Sequence, residues 1–136
     1  LVTSLKKKRK KKKRKGHYIR GTYTSPVAGE CRYRSGWELK IMVHLDENPE
    51  VEFWSYEKIV IEYVSNVKTK KIRKYYPDFF VKYKDGRSEL IEVKPKRKLE
   101  QLTVKKKMTA AMLWCSEHGM TYRIMTEVQL KELGLL

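Results

Sequence analysis

Tyr76-Pro77-Asp78-Phe79-Phe80 and, ten residues on, Leu90-Ile91-Glu92-Val93-Lys94-Pro95 decide how the chain folds. Strand side chains alternate between faces. In the second stretch Ile91 and Val93 therefore share one face, and Glu92 and Lys94 the other. The apolar pair can bury in a core while the charged pair lines a groove. Between the stretches, Asp85-Gly86 is a tight-turn signal. A hairpin about that turn brings Asp78 toward Glu92, so three charges gather on a small patch.

Outward from this pair, strands and helices alternate. Ser35-Gly36-Trp37-Glu38 fits the S-x-x-E capping box. It predicts a helix with Trp37, Ile41 and Leu45 at helical spacing, stopped by Asn48-Pro49. Residues 51–56 and 59–64 are rich in β-branched and aromatic side chains and read as strands. Residues 72–83 read as a further strand region kinked at Pro77, and 88–94 as the strand that Pro95 ends. A basic loop, residues 95–98, leads to a helix over 101–118 with Val104, Met108, Ala111 and Cys115 as its apolar stripe. Residues 121–125 read as a strand, and Thr126-Glu127-Val128-Gln129 as the cap of a last short helix ending at Gly134. Residues 16–34, broken by Gly21, Pro26 and Gly29, read as an irregular lead-in. This order predicts an α/β domain, a mixed β-sheet flanked by helices.

The 136 residues carry 32 Lys and Arg against 16 Asp and Glu, a net charge of +16. Ten cations form one run: Lys6, Lys7, Lys8, Arg9, Lys10, Lys11, Lys12, Lys13, Arg14 and Lys15. The rest of the chain carries only +6. We therefore divide the chain into a basic arm, residues 1–15, and one domain, residues 16–136, large enough for a modest core. The arm, with Lys96, Arg97 and Lys98 of the later basic loop, is expected to bind DNA phosphates. Docking on an acidic protein surface, or a localisation or solubilising run, is the alternative for the arm. No apolar stretch approaches the ~18 residues of a membrane span, and no apolar segment follows the basic start as in a secretory signal. With Leu1 in place of Met, further residues upstream are expected. Cys31 and Cys115 form no CxxC and share no ligand spacing with His17, His44 or His118. That pattern argues for reduced structural thiols and against a zinc site.

Asp78 and Glu92 supply the oxygen ligands that a hard divalent cation such as Mg²⁺ takes. Such an ion polarises a phosphodiester and acidifies an attacking water, and Lys94 can offset charge on the attacked phosphate. The arrangement resembles the P-D…(D/E)-x-K pattern of the restriction-endonuclease-like nucleases. In that superfamily a Glu on the preceding helix often completes the metal site, which implies a role for Glu38. Two structural alternatives stand beside this. Glu92 and Lys94 could be an ion pair on an exposed strand, and Glu38 could serve only as the third residue of its capping box. Glu57 and Glu62 read as solvated strand residues, His44 as a half-buried helix residue. Tyr75, Tyr76, Phe79 and Phe80 read as packing, with Tyr75 or Tyr76 able to border a DNA groove.

Arg34-Ser35-Gly36-Trp37-Glu38, residues 45–51, Trp54-Ser55-Tyr56-Glu57 and residues 118–127 resemble the head-completion nuclease family of tailed bacteriophages over about residues 22–136. The endonuclease subunit of some cut-and-paste transposons shares the same order of helix Glu, Pro-Asp and Glu-x-Lys, usually in a longer chain. The resemblance implies a small endonuclease, dependent on Mg²⁺ or Mn²⁺, that processes the ends of packaged double-stranded DNA before tail joining. It implies Asp78, Glu92 and Lys94 as catalytic residues with Glu38 assisting, and Glu38, Asp78 and Glu92 as the metal set. It places the protein in the cytoplasm of an infected bacterium, or on the virion, with portal or neck proteins as partners. A structural neck component, a transposon- or repair-type endonuclease and a pure DNA-binding module are the other readings.

Overall fold

The computed structural model describes residues 19–136. The DNA-binding expectation for Lys6 to Lys15 lies outside them. The chain opens with a hairpin, β1 (Gly21–Ser25) and β2 (Gly29–Tyr33), followed by helix α1 (Gly36–Glu47). Then come β3 (Val51–Tyr56), a second hairpin of β4 (Ile61–Asn66) and β5 (Lys71–Tyr75), β6 (Phe79–Tyr83) and β7 (Ser88–Val93). A 3-10 turn (Lys96–Lys98), helix α2 (Leu102–Glu117), β8 (Thr121–Met125) and helix α3 (Glu127–Glu132) complete it.

Four strands form the central sheet in the order β3-β6-β7-β8. β6 runs antiparallel to β3 and β7, while β8 runs parallel to β7 through the α2 crossover. Both faces of this sheet are covered. Ile41, Met42 and Leu45 of α1 and Leu130 of α3 pack with Trp54, Phe79, Val81, Ile91 and Met125 on one side. Ala111 and Cys115 of α2 pack on the other, with Leu90 and with Ile61, Tyr63 and Tyr75 of the β4–β5 hairpin. Leu90 and Ile91 thus bury on opposite faces. The face of β7 that carries Glu92 is roofed over and not open, as in strands covered on both sides. Among the described residues no helix is long and apolar enough to cross a membrane.

The structure corrects two sequence expectations. The lead-in is an ordered hairpin, Gly21 opposite Tyr33 and Ser25 opposite Gly29. Its strands carry little apolar signal because polar bonds hold it down. Ser25 Oγ accepts from the Val27 and Ala28 N–H groups and donates to Asp46 Oδ1 at 2.8 Å. Tyr23 donates to Asp46 Oδ2 at 2.6 Å, and Trp54 Nε1 donates to Oδ1 at 2.8 Å. One carboxylate on α1 therefore ties the hairpin to the helix and to β3. Residues 72–83, expected as one kinked strand, are two strands in different sheets. Pro77 marks the crossing between them, where it donates no hydrogen bond and is fully buried.

Candidate active site

Asp78 immediately precedes β6, and Phe79 pairs with Ile91. Continuing that register places Asp78 level with Glu92. The contact is direct along the backbone: Val93 N–H donates to Asp78 Oδ2 at 2.7 Å. The Asp78 carbonyl accepts from Glu57 N–H at 2.9 Å, which pins the end of β3 to the same point. Glu92 lies on β7 beneath the roof and is 8% exposed. Its Oε1 accepts from the Tyr75 hydroxyl at 2.6 Å, and its Oε2 pairs with Lys94 Nζ at 3.4 Å. The Tyr75 hydroxyl also meets that of Tyr122 on β8 at 2.9 Å. The Glu92–Lys94 pair therefore exists, but in a buried pocket and not on an exposed strand.

Glu38 comes to the patch from α1 and is also buried. Ser35 caps the helix as expected, accepting from Glu38 N–H at 3.1 Å. The return half of the capping box differs. Glu38 Oε1 accepts from Arg34 N–H at 2.9 Å, one residue ahead of the cap, and from the Tyr56 hydroxyl at 2.6 Å. Its side chain is thus drawn toward β3 and the acids, not folded onto Ser35.

The charges disclose the strain of this arrangement. Burial pushes the Asp78 carboxyl well above its ordinary range, and repulsion from Glu92 and Glu38 adds to it, against the Val93 N–H and Lys94. Burial raises Glu92 too, opposed by Tyr75, Lys94 and Lys107. The Tyr75 and Tyr56 phenols are pushed far up, first by burial and then by the carboxylates they face. Three buried acids thus share one patch with a single lysine in contact. Among the described residues, no group of three acidic, His or Cys side chains lies close enough to enclose a metal ion. Each carboxylate is turned instead toward its own hydrogen-bond donors.

A cavity of about 170 Å³ opens between the start of α1 and the end of β7, lined by Glu38, Lys94 and Lys98 among others. The expected basic loop is the 3-10 turn beside it, with Lys96 and Arg97 exposed. Glu127 on α3 accepts from the Lys96 N–H at 2.8 Å and fixes that turn. A larger hollow of about 650 Å³ runs alongside, between the β1–β2 hairpin and the end of β3, and Arg34 lines both.

The sequence marks no site role for Tyr56, Tyr122 or Lys107, and reads Tyr75 as packing or as the border of a DNA groove. Tyr56, Tyr75 and Tyr122 hold carboxylates or one another, and Lys107 of α2 stands 5.6 Å over the Tyr75 ring. Nothing in their spacing marks them, since they converge from three sheet segments and a helix. Glu57 also departs from its expected solvated place. It is half-buried at φ +53°, bonds Arg34 Nη2 at 3.0 Å, and burial raises its carboxyl. Glu62 is exposed as expected, and His44 is half-buried.

Two comparisons bear on this site. A family described as "TnsA-like endonuclease N terminal" matches residues 48–127, a span that holds Asp78, Glu92 and Lys94. A head completion nuclease of Enterobacteria phage T4 is 35% identical over 124 residues, covering 75% of this chain and 82% of the relative. The acids level across β6 and β7, the lysine two residues on, and the sheet that carries them all fall within the matched span, and the chain is thus a nuclease that belongs to the TnsA-like endonuclease family.

Proposed function

We propose that the chain hydrolyses phosphodiesters of double-stranded DNA with Mg²⁺, or Mn²⁺ in its place, and processes packaged DNA ends during phage head completion. The observation that carries this reading is the excess of buried carboxylates over cations at Asp78, Glu92 and Glu38. Oxygen donors of that charge suit a hard divalent cation, and the mutual repulsion that lifts Asp78 is what such a cation would relieve. Asp78 and Glu92 would hold it, with Glu38 completing the set after a side-chain turn. Bound there, the ion would polarise the phosphate and acidify the attacking water. Lys94, which lines the cavity, would offset the charge that develops on the attacked phosphate. Tyr75 and Tyr56 fix the orientation of Glu92 and Glu38, the outer-sphere support such sites depend on.

The place in phage assembly rests on the likeness to the T4 head completion nuclease. On this reading the protein would work in the cytoplasm of an infected bacterium or on the filled head, in reach of portal or neck proteins. The basic arm would then hold DNA near the site. The test is cleavage of linear and circular duplex DNA with Mg²⁺, Mn²⁺, Ca²⁺ or chelator. Cutting with the first two is expected, with Ca²⁺ supporting binding but little cutting. Undiminished cutting in excess chelator overturns the metal-dependent reading. Failure of heads lacking the protein to accept tails, restored by wild type but not by Glu92→Gln, tests the assembly role.

A further inference from the structure

The β4–β5 hairpin is a small sheet of its own, outside the four-stranded sheet. Its inner face, Ile61, Tyr63 and Tyr75, packs beneath α2. Its outer face, with Lys74 and Ile72 opposite Glu62 and Val64, and its tip carry no such cover, while Arg73, opposite Tyr63, is on the inner side and still exposed. Lys68, Lys70, Lys71, Arg73 and Lys74 are all exposed, five cations within seven residues, and no acid lies between Glu62 and Asp78. Among the described residues none of the five enters an ion pair, whereas Arg34, Arg87, Lys105 and Arg123 each do. The acid nearest in register is Glu62, opposite Lys74. Exposed apolar side chains stand among these cations: Val64 opposite Ile72, and Val67 at the tip.

The foot of this hairpin stands in the active site. Tyr75 ends β5 with its hydroxyl on Glu92, and Asp78 follows three residues later. From Tyr75 to Lys71 the strand runs roughly 13 Å, at about 3.3 Å per residue. Duplex DNA rises 3.4 Å per base pair, so the tip reaches about four base pairs from the acids.

We propose that the β4–β5 hairpin is a clamp on the duplex to one side of the scissile phosphate. Its cations reach backbone phosphates within about four base pairs of the cut from more than one side of the hairpin, Lys74 from the outer face, Arg73 from the inner side and Lys68, Lys70 and Lys71 from the tip end, and Val64, Val67 and Ile72 rest on the sugar edges. A cluster of cations without ion-pair partners matches a phosphate backbone more closely than a protein surface, which would need acids placed against each of them. This rests on the nuclease reading, since it takes the cut site as origin. It goes beyond it in giving the enzyme a side: duplex is required on the hairpin side of the cut, and the other side stays less constrained.

The test compares wild type with K68S/K70S/K71S/R73Q/K74Q, and with K68R/K70R/K71R/K74R, all as the full chain with the basic arm in place. Binding of a 30-base-pair duplex is measured by fluorescence anisotropy across a salt series. With about −0.9 in slope per phosphate neutralised, partial contact by five cations predicts a slope flatter by about two to four for the neutral variant. The Arg variant should keep the wild-type slope. Hydroxyl-radical footprinting should lose its protection on one side of the cut in the neutral variant only. At low salt and saturating protein the neutral variant should still cut. A slope change below about one unit overturns the clamp while leaving the nuclease intact. So does a variant that binds DNA normally but no longer binds an acidic protein surface. Absence of cutting by wild type counts against the nuclease reading itself, and the slope comparison then still decides whether the hairpin holds DNA. If the neutral variant does not fold, K70S/K71S carries the same comparison with an expected change of about one to two.

Discussion

Two aspartates define two corners of the molecule. Asp46 on α1 collects three donors, from Tyr23, Ser25 and Trp54, and its lone pairs are matched. The bond pushes the Tyr23 phenol up to about 12, since ionising it would set two negative charges together. Asp78 takes a backbone N–H and faces Glu92 and Glu38, so acids outnumber the cations around it. The first corner uses its charge to fasten a hairpin. The second keeps charge unmatched in a buried place, which lowers stability and suits a cation and a phosphate. The difference teaches that an acid is assigned by its donors, not by its identity.

The largest effect expected is on chemistry. Asp78→Asn, Glu92→Gln and Lys94→Met should each lower cleavage by about a thousandfold, the order lost with one preorganised electrostatic contact, while DNA affinity barely changes. In metal-free buffer at neutral pH, Asp78→Asn should melt higher than wild type, because it removes a repelled charge. Near-normal cutting by any of the three as a folded protein would withdraw it from the site.

Next in size is the other corner. Asp46→Ala leaves three donors without an acceptor and should cost about 3 kcal/mol in urea unfolding. Cutting per folded molecule at low temperature should stay within twofold. A cost under about 1 kcal/mol would mean the hairpin is held by something else.

Glu38 sits between the corners. In Glu38→Gln the amide oxygen can still accept from Arg34 N–H and Tyr56, so melting should be preserved. Activity should fall about 10- to 100-fold if the carboxylate serves the metal, and partial recovery at raised Mg²⁺ would mark that role. Full activity would make Glu38 a strut like Asp46.

The pH dependence of stability reports on the second corner. Asp78 and Glu92 have raised folded values, so their contribution is whole below the unfolded value near 4 and is lost as pH rises through the folded one. Metal-free stability should therefore fall on going from pH 4 upward, by at most about 1.4 kcal/mol per pH unit for each group. Asp78→Asn should flatten the fall. The smallest effect is that of Tyr75→Phe, which removes the hydroxyl bridging Glu92 and Tyr122. About 1 kcal/mol, seen as a severalfold loss of kcat with little change in affinity, is expected.

Much of this was legible in the chain. The alternation in 90–94, the cap at Ser35 and the turn at Asp85-Gly86 are local signals, and each corresponds to an element of the structure. The β1–β2 hairpin was not legible, because its fastening comes from Asp46 more than twenty residues away and not from apolar alternation. The division at Pro77 was missed for a related reason. Aromatic and β-branched residues continue across it, and only the sheet each half joins tells them apart.

By itself, then, the sequence determined the order of elements, the strand pair that carries Asp78, Glu92 and Lys94, and the lysine-rich composition that favours DNA. These follow from period, turn chemistry and charge, which act between near neighbours. Only the tertiary structure decided which acids are matched and which are left in excess. That depends on hydroxyls brought from β3, β5 and β8, on Lys107 of α2 over the Tyr75 ring, and on a roof of α2 and the β4–β5 hairpin over one face of β7. Burial and long-range pairing set those charges, and neither is written in the spacing of residues along the chain.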